Sequence, residues 1–225
     1  MSNQKHILVD LSHPVRDGMT TYPGLPGPVI EDHMSWEDSH ARYASGTEFQ
    51  IGRITLVANT GTYVDVPAHR FRGGADLSQM PLSRFIDLNG TAVSAPTGAR
   101  DIGPEVFRGL DVAGRAVLVH TGWDQYWGTP RYGMDGHPFL SASAVEWLLS
   151  QGPAIVGIDS VNIDDMRDLT RPAHTGLLKA GIPIVEHMTS LRQVVGTRFR
   201  FNAAPVPVAG MGTFPVRAYA LVEGD

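Results

Sequence analysis

Residues 115–120, Arg115-Ala116-Val117-Leu118-Val119-His120, enclose the clearest apolar run, and its shortness predicts a strand buried on both faces. Polar residues follow at once, in Thr121-Gly122-Trp123-Asp124. Ser141 or Ser143 then caps a helix through Leu149, Gly152 ends it, and residues 154–158 read as a second apolar strand closing on Asp159. The unit recurs. Residues 172–180 predict a helix, Gly181 its stop, and residues 182–185 a strand closing on Glu186. Strand, helix and strand joined by short links predict an α/β domain with a central mixed or parallel sheet flanked by helices. In such sheets sites are expected at carboxyl strand ends, where Asp159 and Glu186 stand.

The flanking pattern is less regular. Residues 6–11 predict an opening strand. Three prolines and two glycines within residues 21–28 predict an irregular, fairly rigid loop. Residues 31–47, with His33, Trp36, His40 and Tyr43, suit a partial helix or a flap laid over a pocket. Residues 49–58 predict a strand, residues 82–88 and 90–93 short strands separated by Asn89-Gly90, and residues 198–203 and 214–222 two late strands.

The polar positions concentrate in Asn59-Thr60-Gly61-Thr62-Tyr63-Val64-Asp65-Val66-Pro67-Ala68-His69. In an extended chain Asn59, Tyr63 and Asp65 share a face, and Pro67 ends regular pairing so that His69 can swing back toward them. Burying such a ridge is costly unless it binds something or is fully hydrogen-bonded. It is a candidate site.

Composition narrows the chemistry. The 225 residues fit one domain spanning 1–225, and 42% hydrophobic with 18% charged residues describe an ordinary globular chain. A net charge of -5 and no long Lys/Arg run argue against nucleic-acid or anionic membrane partners. The absence of cysteine excludes disulfides, thiolate ligands and cysteine nucleophiles. Without a signal-peptide pattern or a membrane-spanning apolar stretch, the expected location is the cytoplasm. The serine-elbow, phosphate-loop, dinucleotide and His-Glu-x-x-His signatures are all missing. What remains is a scattered set of hard ligands (Asp65, His69, His174, Glu186 and His187) suited to zinc, manganese or iron(II).

The ridge resembles the signature of the cyclase-like metal-dependent hydrolases, which include bacterial kynurenine formamidase and isatin hydrolase and carry His-x-Gly-Thr-His-x-Asp-x-Pro-x-His. Further matches, in the family's order over nearly the whole chain, are Asp10-Leu11-Ser12, Thr121-Gly122-Trp123-Asp124, Gly157-Ile158-Asp159-Ser160, His174 with Glu186 twelve residues later, and Pro215-Val216-Arg217-Ala218. The resemblance implies a swivelling β/β/α fold and a homodimer or homotetramer with pockets near the subunit interface. It also makes Asp65, His174 and Glu186 the metal ligands and His69 the acid/base residue.

The first two histidines of that pattern are here Asn59 and Tyr63. An amide is a weak ligand and a phenol must lose its proton to bind well, so one divalent ion, zinc or manganese, is expected rather than two. The expected activity is hydrolysis of an amide, lactam or lactone-type bond in a small cyclic or aromatic substrate, with Tyr63 or Asn59 donating to the oxyanion. The alternatives are a metal-independent lyase, isomerase or cyclase run by Tyr63 and His69, and a non-catalytic small-molecule binder. Trp36, Trp123 and Trp127 are candidates to line an aromatic cleft, and Arg217 to pair with a buried carboxylate or to read substrate.

Overall fold

The computed structural model describes residues 6–224. In chain order the first half holds β1 (His6–Asp10), β2 (Val29–Met34), α1 (Trp36–Arg42), β3 (Ile51–Thr55), β4 (Tyr63–Asp65), α2 (Pro67–Arg70), β5 (Leu88–Ser94) and β6 (Asp101–Ile102). The second half holds β7 (Ala116–His120), β8 (Phe139–Leu140), α3 (Ala142–Gln151), β9 (Ile155–Ile158), α4 (Pro172–Lys179), β10 (Ile184–Glu186), β11 (Phe199–Asn202), β12 (Thr213–Pro215) and β13 (Tyr219–Glu223). Nine strands form one mixed sheet in the order β1-β13-β11-β5-β7-β9-β10-β4-β12. The β5-β7-β9-β10 centre is parallel and the outer pairs are antiparallel.

The apolar runs of β7, β9 and β10 lie at this centre because alternate residues leave on opposite faces and both faces are dry. Val117, Val119, Val156, Ile158 and Ile184 pack with Ala144, Val145 and Leu148 of α3 and Ala173, Leu177 and Leu178 of α4. Ala116, Leu118, Ile155 and Val185 pack instead with Leu11, Phe199, Phe201 and Ala220. Leu118, Ile155 and Ile158 are fully buried, each contributing about 1.5–3 kcal/mol. Ser141 caps α3 through the Ala144 amide at 3.0 Å, as its sequence predicts. Among the described residues no helix is long and apolar enough to cross a membrane.

Three local expectations are corrected by tertiary pairing. Residues 82–88 are not a strand: Leu82–Arg84 is a single 3-10 turn after Pro81. The sheet then begins at Leu88 and runs straight through Asn89-Gly90, because Asn89 pairs with Arg200 and Gly90 with Ala116, which overrides their turn preference. The segment at residues 49–58 gives β3, which pairs with β2 in a separate two-stranded arm rather than leading into the main sheet. Residues 214–222 break into β12 and β13, and the break is where the family motifs at the two ends of the chain meet. The Leu11 amide donates to the Ala218 carbonyl at 2.9 Å, and the Ala218 amide donates to Ser12 Oγ at 2.6 Å. Those motifs form a latch, with Arg217 paired to Asp10 at the surface rather than to a buried carboxylate.

Candidate active site

Register brings the site together. β4 lies between β10 and β12, so Tyr63 stands opposite Glu186 on one side while Asp65 stands opposite Thr213 on the other. Directly opposed residues project from the same face, which accounts for both contacts described next. The Tyr63 hydroxyl donates to Glu186 Oε2 at 2.8 Å, and the Thr213 hydroxyl donates to Asp65 Oδ1. The extended ridge expected for residues 59–65 is shorter: Gly61 is left-handed at φ 67, so only Tyr63–Asp65 pairs. Asn59 nevertheless lines the same cavity as Tyr63, carried there by the turn.

Pro67 starts α2, and one helical turn returns His69 to Asp65, leaving 3.4 Å between His69 Nδ1 and Asp65 Oδ1. The approach needs Gly212. A Cβ there would lie 2.1 Å from the His69 backbone nitrogen, so only glycine lets the entry to β12 pass and seat Thr213 Oγ1 2.8 Å from His69 Nδ1. Thr213 has one proton and gives it to a carboxylate, so its contact with His69 is donated by the imidazole Nδ1–H. That tautomer leaves the His69 Nε2 lone pair free, on a side chain that is 30% exposed and lines the cavity.

His174 arrives on α4, whose first turn is fastened by Asp164. That carboxylate accepts the Ala173 amide at 2.6 Å, the His174 amide at 3.1 Å and His174 Nδ1–H at 2.6 Å. His174 Nε2 is thereby aimed between two acids, 3.7 Å from Asp65 Oδ2 and 3.8 Å from Glu186 Oε1. Burial opposes a charge on this ring, yet Glu186, Asp164 and Asp65 together raise its pKa to about 10. Asp65 is also buried, and burial alone would raise its pKa; the nearby His174 and His69 and the hydrogen bond from Thr213 lower it instead. The arrangement is built to hold positive charge.

One side chain does not fit that pattern of satisfied groups. Asp65 Oδ2 is buried and has no hydrogen-bond partner, a condition costly for a carboxylate oxygen unless a cation completes it. Donor atoms of Asp65, His69 and His174 also converge within 4.8 Å of one another. This donor set, an unpartnered carboxylate oxygen beside imidazoles oriented by Asp164 and Thr213, fits one divalent ion. Glu186 adjoins it, with Oε1 accepting the Ile163 amide at 2.7 Å and Oε2 accepting Tyr63.

Among the described residues a second ion has no comparable donors. Burial, reinforced by Glu186 and Asp65, pushes the Tyr63 hydroxyl well above the usual phenol range, so it stays protonated. It is tied on both sides, donating to Glu186 and accepting His187 Nε2–H at 3.1 Å. His187 is buried, which lowers its pKa to about 3, and its Nδ1 accepts the Tyr132 hydroxyl at 3.0 Å. It supports Tyr63 from behind and does not line the cavity. We expect Tyr63→Phe, which strands a buried donor and a buried acceptor, to cost about 1–3 kcal/mol; an unchanged urea midpoint would rule out that support.

The cavity measures about 250 Å³ and also admits Tyr22, Leu25, Asn162 and Arg171 to its lining. Two larger depressions, about 710 and 690 Å³, lie along the β1 edge and beside Trp127. Neither is lined by His69, His174 or Glu186, so volume does not mark the chemistry here. The tryptophans are elsewhere: Trp36 is exposed on α1, Trp123 donates to the Tyr132 carbonyl, and Trp127 stacks on His13. Asp159, at a strand end like Glu186, is spent on Thr121 and Gly122 and fastens the turn after β7.

The Cyclase family model, described as "Putative cyclase", matches residues 9–165. The chain belongs to the cyclase family. A kynurenine formamidase from Salinibacter ruber is 27% identical over 216 residues, covering 94% of this chain and 95% of the relative. A second, from Erythrobacter litoralis, is 27% identical over 203 residues, covering 88% and 86%. Among solved structures, isatin hydrolase A from Labrenzia aggregata superposes with a TM-score of 0.82 at 19% identity, over 97% of this chain and 94% of that one. A protein described as a potential metal-dependent hydrolase with cyclase activity gives 0.77 at 23% identity, over 98% and 100%. These superpositions establish the cyclase fold, an α/β architecture with a mixed sheet.

Proposed function

We propose that this chain is a hydrolase of amide, lactam or lactone-type bonds in compact substrates, working with one divalent ion, zinc or manganese. The observation that carries the reading is the unpartnered Asp65 Oδ2 beside His174 Nε2. The formamidase and isatin hydrolase names of its relatives support the bond type. Asp65 and His174, with Glu186 Oε1 as third donor, would hold the ion. When bound, it supplies a Lewis acid for the carbonyl and a water of lowered pKa.

The chain's own groups do the rest. His69, held by Thr213 with Nε2 open to the cavity, takes the proton of the attacking water and returns it to the leaving nitrogen or oxygen. The Asn59 amide donates to the oxyanion, since the Tyr63 proton is committed to Glu186. Tyr63 positions Glu186.

The raised pKa of His174 favours one second reading, in which its imidazolium itself is the resident cation and His69 works with Tyr63 in a metal-independent lyase or isomerase reaction. Chelation separates the two. The hydrolytic reading expects about one ion per chain by elemental analysis, formanilide hydrolysis lost on chelation, and recovery on adding zinc or manganese. Full turnover in metal-free protein would favour the imidazolium.

We further propose a homodimer through the β2-β3 arm, where Val29, Ile30, Ile51 and Ile54 are between 42% and 50% exposed. That much apolar surface on a two-stranded arm is unstable on its own. Light scattering at the mass of one chain would contradict it.

A further inference from the structure

Arg171 lines the cavity, and among the described residues its guanidinium meets no acceptor. It precedes α4 with a left-handed backbone, φ 53 and ψ 63, a conformation unfavourable for any residue with a Cβ. Its amide donates to the Asp168 carbonyl at 3.2 Å and its carbonyl accepts the Thr175 amide at 2.8 Å, so the strained position is held from both sides. The side chain is only 27% exposed and lines the cavity. The nearest carboxylate oxygen, Asp164 Oδ2, is 3.9 Å from Nε, beyond hydrogen-bond reach, and is already taken by His174. Among the described residues the guanidinium makes no hydrogen bond. By contrast, Arg115, Arg167 and Arg217 each reach a carboxylate within 3.0 Å.

A partly buried cation with an unused planar fork calls for an anion of matching shape. Asn162 adds to it. That side chain is 2% exposed and lines the same cavity; its Oδ1 accepts the Asp164 amide at 2.9 Å, and among the described residues its Nδ2 has no acceptor. Glu186 lines the same cavity and repels an anion, which leaves the Arg171 guanidinium as the lining group that attracts one. Tyr22 and Leu25 add apolar surface to the lining. At about 250 Å³ the space is below the ~300–1,000 Å³ of drug-sized pockets, so the occupant is small.

We propose that Arg171 is the specificity-determining residue of this cavity, holding the carboxylate of a compact acidic substrate while its hydrolysable carbonyl lies at the His69/His174 end. The inference rests on the hydrolytic reading for the bond that is cut, but the carboxylate subsite is tested without turnover.

Calorimetric titration with benzoate and with the neutral isostere benzamide does so, on protein as isolated and on protein freed of metal. The wild type is expected to bind benzoate about tenfold or more tighter, the size of one charge-assisted pair. Arg171→Gln is expected to lose the preference in both preparations and Arg171→Lys, which keeps charge without the fork, to retain part of it; melting curves check that both variants fold. Equal binding of the two ligands by the wild type would overturn the proposal, as would an undiminished preference in Arg171→Gln. A preference that vanishes on metal removal from the wild type would also overturn it, by placing the carboxylate on the ion. Absent hydrolysis with the benzoate preference intact would reject the hydrolytic reading and leave the subsite standing.

Discussion

Truncating His69 to alanine is expected to lower kcat for amide hydrolysis by about 10²- to 10⁴-fold, the usual worth of a positioned proton carrier, with metal content unchanged. The expectation follows from where its proton sits. Thr213 spends its hydroxyl proton on Asp65, so His69 presents Nδ1–H to Thr213 and an open Nε2 to the cavity. A base oriented by a third group in this way is what activation of water requires. The same residue belongs to the converging set of donors with Asp65 and His174, so kinetics and elemental analysis are needed together. Loss of turnover with one ion retained supports the proton role. Loss of the ion with the turnover would make His69 a ligand, and unchanged turnover would remove it from the mechanism.

The double substitution Asn59→His with Tyr63→His should raise the bound metal from one to two ions per chain. Imidazole, with a pKa near 6.5, offers a neutral nitrogen at pH 7, whereas a phenol near 10 does not, and Tyr63 is pushed higher still by burial and by Glu186 and Asp65. Both positions already line the cavity, so the backbone that would present the histidines is in place. The exchange carries a stability cost, because the Tyr63 hydroxyl that joins Glu186 to His187 is lost. The metal-free double variant is therefore expected to melt below the wild type and to regain stability with added zinc, since a ligand that binds only the folded state stabilises it. A stoichiometry that stays at one would show that more than these two side chains separates this chain from a two-ion site.

Much of the fold was readable because burial on both faces leaves a local mark. The runs that became β7 and β9, and the Ser141 cap of α3, need no knowledge of distant partners. The ridge around Asp65 was readable for a different reason: six polar positions and a proline fall within eleven residues. By contrast, nothing local announces Asp164, Thr213 or Arg171 as part of the site. Thr213 matters only because β12 pairs beside β4, 148 residues away in the chain. Asp164 looks like one acid among several near residue 165, and its role appears only when α4 docks and brings His174 onto it. The tryptophans misled for the complementary reason. Large aromatic rings suit clefts and packing equally, and the choice depends on neighbours that the local sequence does not name.

By itself, then, the chain determined its α/β class, its central strands, its metal-compatible donors and the two positions where Asn59 and Tyr63 stand in place of histidine. Only the tertiary structure decided which donors face one another, that the Tyr63 proton belongs to Glu186, and that Arg171 is left with an unused fork. The physical reason is that hydrophobic periodicity is written in neighbouring residues, whereas charge pairing and hydrogen-bond satisfaction depend on strand register and helix docking.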